Sequence, residues 1–489
     1  MRLSDILPPE VELPAGAGGI EITGLTSASG AVTPGALFAA LPGVKADGAR
    51  FIPHAIGRGA VAVLAGVGKA MEVPPGVALI ETANPRRALA LIAARFSGAQ
   101  PACAVAVTGT SGKTSVAEFT RQIFAALGHK AASLGTIGVV KPDGAIYGSL
   151  TTPDPITLHA TIAGLAHEGI THLAFEASSH GLDQHRLDGV QLSAAAFTNL
   201  GRDHMDYHAT EEEYFAAKMR LLEELLPRGR TVVVNADGAR ADDVIAIAKK
   251  RGLDVISTGR RATAGVYLEK VSREGFSQIL KLKLPFGRMT VRLPLVGAYQ
   301  VENALVAAGL AIAVDAGNGL EVINALELLK GVPGRLDIVG EARGGLAVVD
   351  YAHKPEALAA ALDACRPFAT GRLICVFGCG GDRDKGKRPI MGRIAVEKAD
   401  VVIVTDDNPR TEQAAAIRGD ILAGAAGARE IGDRAEAIFA AVGMMGAGDV
   451  VLVAGKGHET GQIVGTSVIP FSDHDELRRA LEQVSPNGR

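Results

Sequence analysis

Short apolar runs recur along this chain, each passing into a glycine-bearing turn and then into an alanine-rich helical stretch. Residues 104–107, 231–234, 373–377 and 401–405 are the clearest of them. This alternation confines the chain to an α/β fold built on mostly parallel sheet, because strands buried on both faces need helices over them and parallel neighbours need a crossover. In such sheets ligands gather beyond the carboxyl ends of the strands. The turns that follow the apolar runs are therefore where chemistry is to be sought.

At 489 residues the chain exceeds what one core organises, and its length predicts about three domains. The first block, 1–98, closes with a helical run at 88–96 before Gly98 and Pro101. The second, 99–331, opens on the strand at Ala104. The third, 332–489, opens near Pro333-Gly334-Arg335 and carries apolar runs at 347–349, 373–377, 401–405 and 450–453. No internal repeat or low-complexity linker interrupts them. The longest stretch of apolar residues and glycine, 304–314, is too short to cross a bilayer and reads as a buried helix.

A formal net charge of -3 supplies no overall basic field for nucleic acid or an anionic membrane, so small molecules are the expected partners and a monomer the expected state. Cys103, Cys365, Cys375 and Cys379 form no Cys-x-x-Cys pair, which argues against a zinc ribbon and for reduced thiols. Met1-Arg2-Leu3-Ser4-Asp5 lacks a basic region leading into a long apolar run, so no signal peptide is expected and the location read from it is cytoplasmic.

The sharpest local signal is Val107-Thr108-Gly109-Thr110-Ser111-Gly112-Lys113-Thr114-Ser115. A strand enters a glycine loop that ends in Gly-Lys-Thr and opens a helix. Backbone N–H groups of such a loop cradle phosphate, and the helix N-terminus adds positive potential. Lys113 would reach the outer phosphates and the Thr114 hydroxyl a magnesium ion. Val107 stands where the usual pattern has its first glycine, so this is a shorter variant. Three further residues are candidates for handling charge: Glu176 at the end of an apolar run, His204 in Arg202-Asp203-His204-Met205-Asp206, and Lys218 in a helical stretch. Taken singly, each is more often a surface or structural residue than a ligand.

Taken together they follow an order that resembles the Mur ligase family. Thr-Gly-Thr-Ser-Gly-Lys-Thr is followed by Thr151-Thr152-Pro153, Glu176-Ala177-Ser178-Ser179-His180, Asn199-Leu200-Gly201-Arg202-Asp203-His204-Met205-Asp206 and Ala216-Ala217-Lys218. Asn303, Gly334-Arg335 and Asp350-Tyr351-Ala352-His353 come next. Gly378-Cys379-Gly380-Gly381-Asp382-Arg383, Asp407-Asn408-Pro409-Arg410 and Gly455-Lys456-Gly457-His458-Glu459 complete the series and are similar to the branch that handles diaminopimelate. The resemblance spans nearly the whole chain.

That resemblance implies a UDP-binding domain, a central P-loop-type ATPase domain and a C-terminal Rossmann-like domain. It implies ATP-dependent joining of meso-diaminopimelate to UDP-N-acetylmuramoyl-L-alanyl-D-glutamate through an acyl phosphate, with magnesium. It assigns catalytic roles to Lys113, Glu176, His204 and Lys218, and makes Thr114, Glu176, His204 and Lys218 the metal ligands. Lysine ammonium has no lone pair, so Lys218 would act as its carbamate, an N6-carboxylysine. ATP would lie between the central and C-terminal domains, meeting Gly109 to Ser115, Asn303, Arg335 and Asp350, with His353 and Lys354 nearby. The UDP-muramoyl dipeptide would meet Ser29, Thr151, Thr152, Ser178, Gln184 and Arg186. Diaminopimelate would meet Arg383, Asp407, Asn408, Pro409, Arg410, Gly455 and Glu459, with Arg410 gripping the distal carboxylate that lysine lacks.

Departures from the family pattern are Ala28-Ser29-Gly30, where Asp-Ser-Arg is common, and Gln300, where asparagine is frequent. The competing readings are a lysine-adding relative, which Arg410 disfavours, a folylpolyglutamate-type ligase, and an NTP-driven switch, which the glycine loop alone would permit. A dehydrogenase reading fails because Phe377-Gly378-Cys379-Gly380-Gly381 lacks the dinucleotide spacing.

Overall fold

The computed structural model describes residues 1–43, 47–69, 73–146, 151–205, 207–263 and 265–484. Asp206 of the Arg202-to-Asp206 motif lies outside the described residues. The chain divides into two compact units, Met1–Gly265 with Val306–Gly319, and Val266–Leu305 with Leu320–Arg489.

The first unit carries two sheets. A four-stranded parallel sheet, β1 (Gly24–Thr26), β2 (Ala36–Ala40), β3 (Ala62–Gly66) and β4 (Ala78–Thr82), keeps sequence order. The helix Pro85–Ser97 leaves it with Asn84 as its N-cap, Pro85 in its first turn and Gly98 at φ 77 closing it. Each of these residues suits its place, since Pro needs no donor there and glycine tolerates positive φ.

The larger sheet uses β5 (Cys103–Thr108), β6 (Ala131–Gly135), β7 (Gly138–Lys141), β8 (Gly144–Ile146), β9 (His172–Glu176), β10 (Ala194–Phe197), β11 (Thr231–Asn235) and β12 (Asp254–Gly259). Within this unit the order is β12-β11-β10-β5-β9-β6-β7-β8. Strands from β12 through β6 are parallel, and β7 and β8 add antiparallel. β5 is buried along its whole length, as a strand with helices over both faces must be. Because β5 pairs with β9 on one side and β10 on the other, its carboxyl end opens at the switch point of the sheet.

The second unit holds an antiparallel meander, β13 (Gly265–Glu274), β14 (Ser277–Leu284) and β15 (Gly287–Leu293). Its main sheet contains β16 (Asp337–Ala342), β17 (Gly345–Asp350), β18 (Leu373–Phe377), β19 (Val401–Val404), β20 (Arg429–Glu430) and β21 (Val450–Ala454), ordered β16-β17-β21-β18-β19-β20. All pairs but β16–β17 are parallel. Apolar clusters cover both faces, one around Leu362, Cys375 and Leu452, the other around Ile374, Ile438 and Val453. A hairpin, β22 (Gly461–Val464) with β23 (Ser467–Pro470), follows β21.

The expected α/β class with mostly parallel sheet is what the chain adopts. The apolar stretch 304–314 is the interior of the helix Ala298–Val314. Among the described residues no helix is long and apolar enough to cross a membrane. All four cysteines are buried free thiols. The antiparallel strands add to that expectation; β14 alternates buried Leu280, Leu282 and Leu284 with exposed Lys281 and Lys283, the period of a half-buried strand.

Candidate active site

The glycine loop lies between β5 and the helix Lys113–Ala126, with Gly112 at φ 86 as the turn into the helix. Its backbone is held from the loop after β10. Ser111 N–H donates to Asn199 Oδ1 at 3.0 Å, Thr110 N–H donates to the Asn199 carbonyl at 2.9 Å, and Thr198 Oγ1 donates to the Ser111 carbonyl at 2.6 Å. Gly109 sits at φ 142, and a Cβ there would fall 1.9 Å from Thr198 Oγ1. Only glycine admits that approach.

The Gly109 carbonyl oxygen accepts hydrogen bonds from two lysines, Lys113 Nζ and Lys218 Nζ, each at 2.8 Å. Lys113 also donates to the Thr110 carbonyl at 2.8 Å. Lys218 is 1% exposed and lies 4.2 Å from the centre of the Tyr214 ring, whose hydroxyl is 3.1 Å from Thr110 Oγ1. Its helix, Glu211–Arg220, is capped by Thr210 and has three glutamates in its first turn, the end of a helix dipole that favours anions. Burial first, then the neighbouring Lys113 charge, push the Lys218 pKa well below the lysine range. Charge on this side chain is disfavoured, and the neutral amine is the form its surroundings favour.

Glu176 ends β9 and is buried at 1% exposure, so it is not a surface carboxylate. Its Oε1 accepts from Thr136 N–H at 2.7 Å and its Oε2 from Thr136 Oγ1 at 3.3 Å. A Cβ on Gly135 would lie 2.1 Å from Oε1; glycine makes the room this carboxylate fills. Thr136 Oγ1 is in turn 3.0 Å from Thr151 Oγ1. Thr152 Oγ1 donates to the Glu176 carbonyl at 3.1 Å, and Ser178 Oγ donates to Thr152 Oγ1 at 3.0 Å. Arg186 Nη1 donates to the Thr152 carbonyl at 2.6 Å, and its Nη2 to Gln184 Oε1 at 2.8 Å. Gln184 Nε2 donates to Tyr207 Oη at 3.1 Å. Five residues expected to meet the dipeptide thus form one polar network with Glu176. Ser29 lies in the short 3-10 turn Ser29–Ala31 after β1, outside that network.

His204 takes a left-handed backbone at φ 55. Its ring packs edge-on against His180 at 4.7 Å and lies 6.4 Å from the Tyr214 ring. Thr114 sits in the first turn of the helix after the loop. Among the described residues no three His, Cys, Asp or Glu side chains gather as a metal site.

In the second unit, Asn303 Nδ2 donates to Gln300 Oε1 at 2.9 Å, and Gln300 Nε2 donates to the Arg335 carbonyl at 2.7 Å. Gln300 therefore serves here as a link from helix to loop. Arg335 lies over the Tyr351 ring at 5.1 Å. Asp350, at the end of β17, accepts from the N–H groups of Leu336 and Ala352, both at 2.8 Å. Burial pushes its carboxyl up to about 6, opposed by the Arg335 charge and those two N–H groups.

A cavity of about 730 Å³ opens at the carboxyl ends of β17, β18, β19 and β21 and is lined by His353, Lys354, Arg383, Asp407, Asn408, Arg410, Gly455 and Glu459, among others. Pro409 is not in its wall. Arg410 is at φ 51 and donates from Nη1 to the Gly381 carbonyl at 2.8 Å; its own N–H donates to Ile463 of the hairpin at 3.0 Å. Asn408 Nδ2 donates to Glu459 Oε2 at 2.8 Å. Lys456, fully buried, donates to Asn408 Oδ1 and to Glu459 Oε2, both at 3.0 Å. Arg383 is exposed and reaches the Asp382 carbonyl.

Three family models cover most of the chain: Mur ligase family, catalytic domain at residues 21–97, Mur ligase middle domain at 107–311, and Mur ligase, glutamate ligase domain at 334–457. The chain is 57% identical to the UDP-N-acetylmuramoyl-L-alanyl-D-glutamate–2,6-diaminopimelate ligase of Bradyrhizobium diazoefficiens over 98% of its own length and 99% of that protein. The chain belongs to the Mur ligase family. It is likewise 57% identical to the ligase of that name from Brucella melitensis, over 98% of each chain. A solved structure of a diaminopimelate ligase of that name superposes with a TM-score of 0.74 at 31% identity, covering 99% of both chains.

Several residues that shape this Mur ligase's candidate site carried no signal of their own in the sequence. Thr136, Tyr207 and Tyr214 are ordinary residues until the fold brings them to Glu176, Gln184 and Thr110. Lys456 stands inside the Gly455-to-Glu459 motif, but its role as the buried cation joining Asn408 to Glu459 needs the turn after β21 to be seen. Arg434, paired with Asp473 at 2.7 Å and donating to the Ala454 carbonyl at 3.0 Å, fixes the strand end from beneath.

Proposed function

We propose that this chain joins meso-2,6-diaminopimelate to UDP-N-acetylmuramoyl-L-alanyl-D-glutamate at the expense of ATP, as a monomeric cytoplasmic enzyme of peptidoglycan precursor synthesis. The observation that carries the reading is one cavity wall bearing both the Arg410 guanidinium and the Glu459 carboxylate. The distal end of diaminopimelate bears a carboxylate and an ammonium. A guanidinium fork matches the first and a carboxylate the second. Full-length identity to ligases of that name supports the same substrate.

The chemistry balances without any further reactant. An oxygen of the glutamate side-chain carboxylate attacks the γ-phosphorus, the bond to ADP breaks, and an acyl phosphate forms. The amine nitrogen attacks the acyl carbon, the tetrahedral intermediate expels phosphate, and the nitrogen sheds a proton to leave an amide. Two anions must meet in the first step, so charge neutralisation dominates catalysis. Loop N–H groups from Gly109 to Ser115 and the Lys113 ammonium suit the phosphates. Thr152, Ser178, Gln184 and Arg186 suit the dipeptide, and Ser29 its UDP end. Asn303, Arg335, Asp350, His353 and Lys354 suit the nucleoside of ATP.

Magnesium bound here would neutralise phosphate charge. The Thr114 hydroxyl and Glu176 carboxylate offer it the oxygen donors it prefers, His204 a nitrogen. Lys218 fits only as a carbamate: its neutral amine attacks the carbon of carbon dioxide, a proton leaves the nitrogen, and an anionic oxygen ligand results. The depressed pKa of Lys218 supports this step. The three family matches support a division into a UDP-binding domain at 1–98, an ATP-binding domain at 99–331 and an amino-acid-binding domain at 332–489.

The test is phosphate release from ATP with the UDP-muramoyl dipeptide and either meso-diaminopimelate or L-lysine. Release and tripeptide with diaminopimelate alone is the expected result. Equal turnover with lysine would remove the assignment of Arg410, and no release with either would remove the ligase reading.

A further inference from the structure

Asp188 is a carboxylate buried to 3% exposure on which two helices and a histidine of its own turn converge. Arg87, on the helix Pro85–Ser97, brings its Nε to 3.3 Å of Oδ1. Arg220, the last residue of the helix Glu211–Arg220, brings its Nη2 to 3.4 Å of Oδ1 and 3.3 Å of Oδ2. His185 Nδ1 lies 3.2 Å from Oδ1 and 2.9 Å from Arg220 Nη2. Around this core Asn84 Nδ2 meets His185 Nε2 at 2.9 Å, and Arg220 Nη1 donates to the Leu182 carbonyl. The backbone carbonyl of Asp188 meets His159 Nε2 at 2.9 Å.

The chain around this pair places it with the reacting groups. Arg220 is two residues after Lys218 on one helix. His185 stands between Gln184 and Arg186 and holds a left-handed backbone at φ 56, a strained conformation for a side-chain-bearing residue that its contacts sustain. The Arg220 guanidinium therefore ties the Lys218 helix to the turn that presents Gln184 and Arg186. Through Arg87 the same carboxylate ties both to the helix following β4. A lysine could reach one of these acceptors but not several, because only the guanidinium offers a planar fork of donors.

We infer that Asp188 and Arg220 are positioning residues that set the dipeptide clamp, Gln184 and Arg186, and the Lys218 amine in one fixed relation. The inference rests on the roles proposed above for those three residues. It predicts that loosening the pair harms dipeptide capture and Lys218 carbamate formation together, while sparing ATP and the amino acid.

The test uses the full-length chain with Asp188→Asn, which keeps volume and loses charge, and Arg220→Lys, which keeps charge and loses the fork. In each, KM for the UDP-muramoyl dipeptide rises about tenfold, the scale for losing a charged hydrogen bond. KM for ATP and for diaminopimelate stays within about twofold. The Lys218 carbamate signal, read by NMR with isotope-labelled bicarbonate, weakens. A merely structural pair would raise all three KM values alike with the carbamate signal unchanged, and that result overturns the inference; so do wild-type kinetics in both variants. No turnover in the unsubstituted chain would refute the ligase reading instead. Calorimetric dipeptide binding and the carbamate signal would still compare the variants, and absence of both would overturn the inference with it.

Discussion

Two of the proposed features rest on single side chains. Lys218 is driven toward its neutral form by burial and by Lys113, and a neutral amine is what carbon dioxide combines with. Intact mass under native conditions should therefore include the mass of one carbon dioxide, and Lys218→Met should lack it. The same substitution should cut phosphate release by at least about a hundredfold, as loss of a preorganised charged group at a phosphoryl site does. A fully active enzyme with an unmodified lysine would end that assignment. Arg410 carries the other proposed feature, the choice of amino acid. Lysine as substrate would leave the guanidinium in the cavity wall without the carboxylate it suits, which costs on the order of 1.5–3 kcal/mol, or about tenfold to hundredfold in selectivity. Arg410→Ala should lower kcat/KM for diaminopimelate by that factor and leave the L-lysine value nearly unchanged. Preserved selectivity would move specificity elsewhere in the wall.

At the scale of elements, the carboxyl ends of strands hold most of the candidate site residues. β5 leads into the glycine loop, β9 ends on Glu176, β17 on Asp350, and β19 and β21 lead into the Asp407-to-Arg410 and Gly455-to-Glu459 turns. These apolar runs were legible because a buried parallel strand is a nearly unbroken hydrophobic segment. The hairpins were harder to read, since their alternation is shared with other half-buried surfaces. The helix Pro155–His167 has a pH consequence of its own. His159 is 1% exposed, and burial pushes its pKa down to about 4 from 6.5, against the pull of the Asp188 carbonyl. Unfolded chain takes up a proton near 6.5 and folded chain only near 4. The associated stability is complete above the higher value and is lost as pH falls toward the lower, a span worth about 3 kcal/mol. Urea unfolding of His159→Gln should show a shallower loss of stability between pH 6.5 and pH 4 than the parent. Identical slopes would assign the acid sensitivity to other groups.

At the scale of the whole molecule, the sequence by itself determined the α/β class, the glycine loop between a strand and a helix, and the family, because each depends on local patterns or on residues in collinear order. It singled out Glu176, Lys218, Asn408 and Glu459 as candidates by motif but could not say that the first three are buried. Tertiary structure alone decided that Lys113 and Lys218, 105 positions apart in the chain, share the Gly109 carbonyl. It alone decided that Lys456 joins Asn408 to Glu459, and that Arg87, His185 and Arg220 meet on Asp188. The physical reason is common to all three. A pKa, an ion pair or a network is set by what lies within a few ångströms and by how far water is excluded, and neither quantity is a property of residue order.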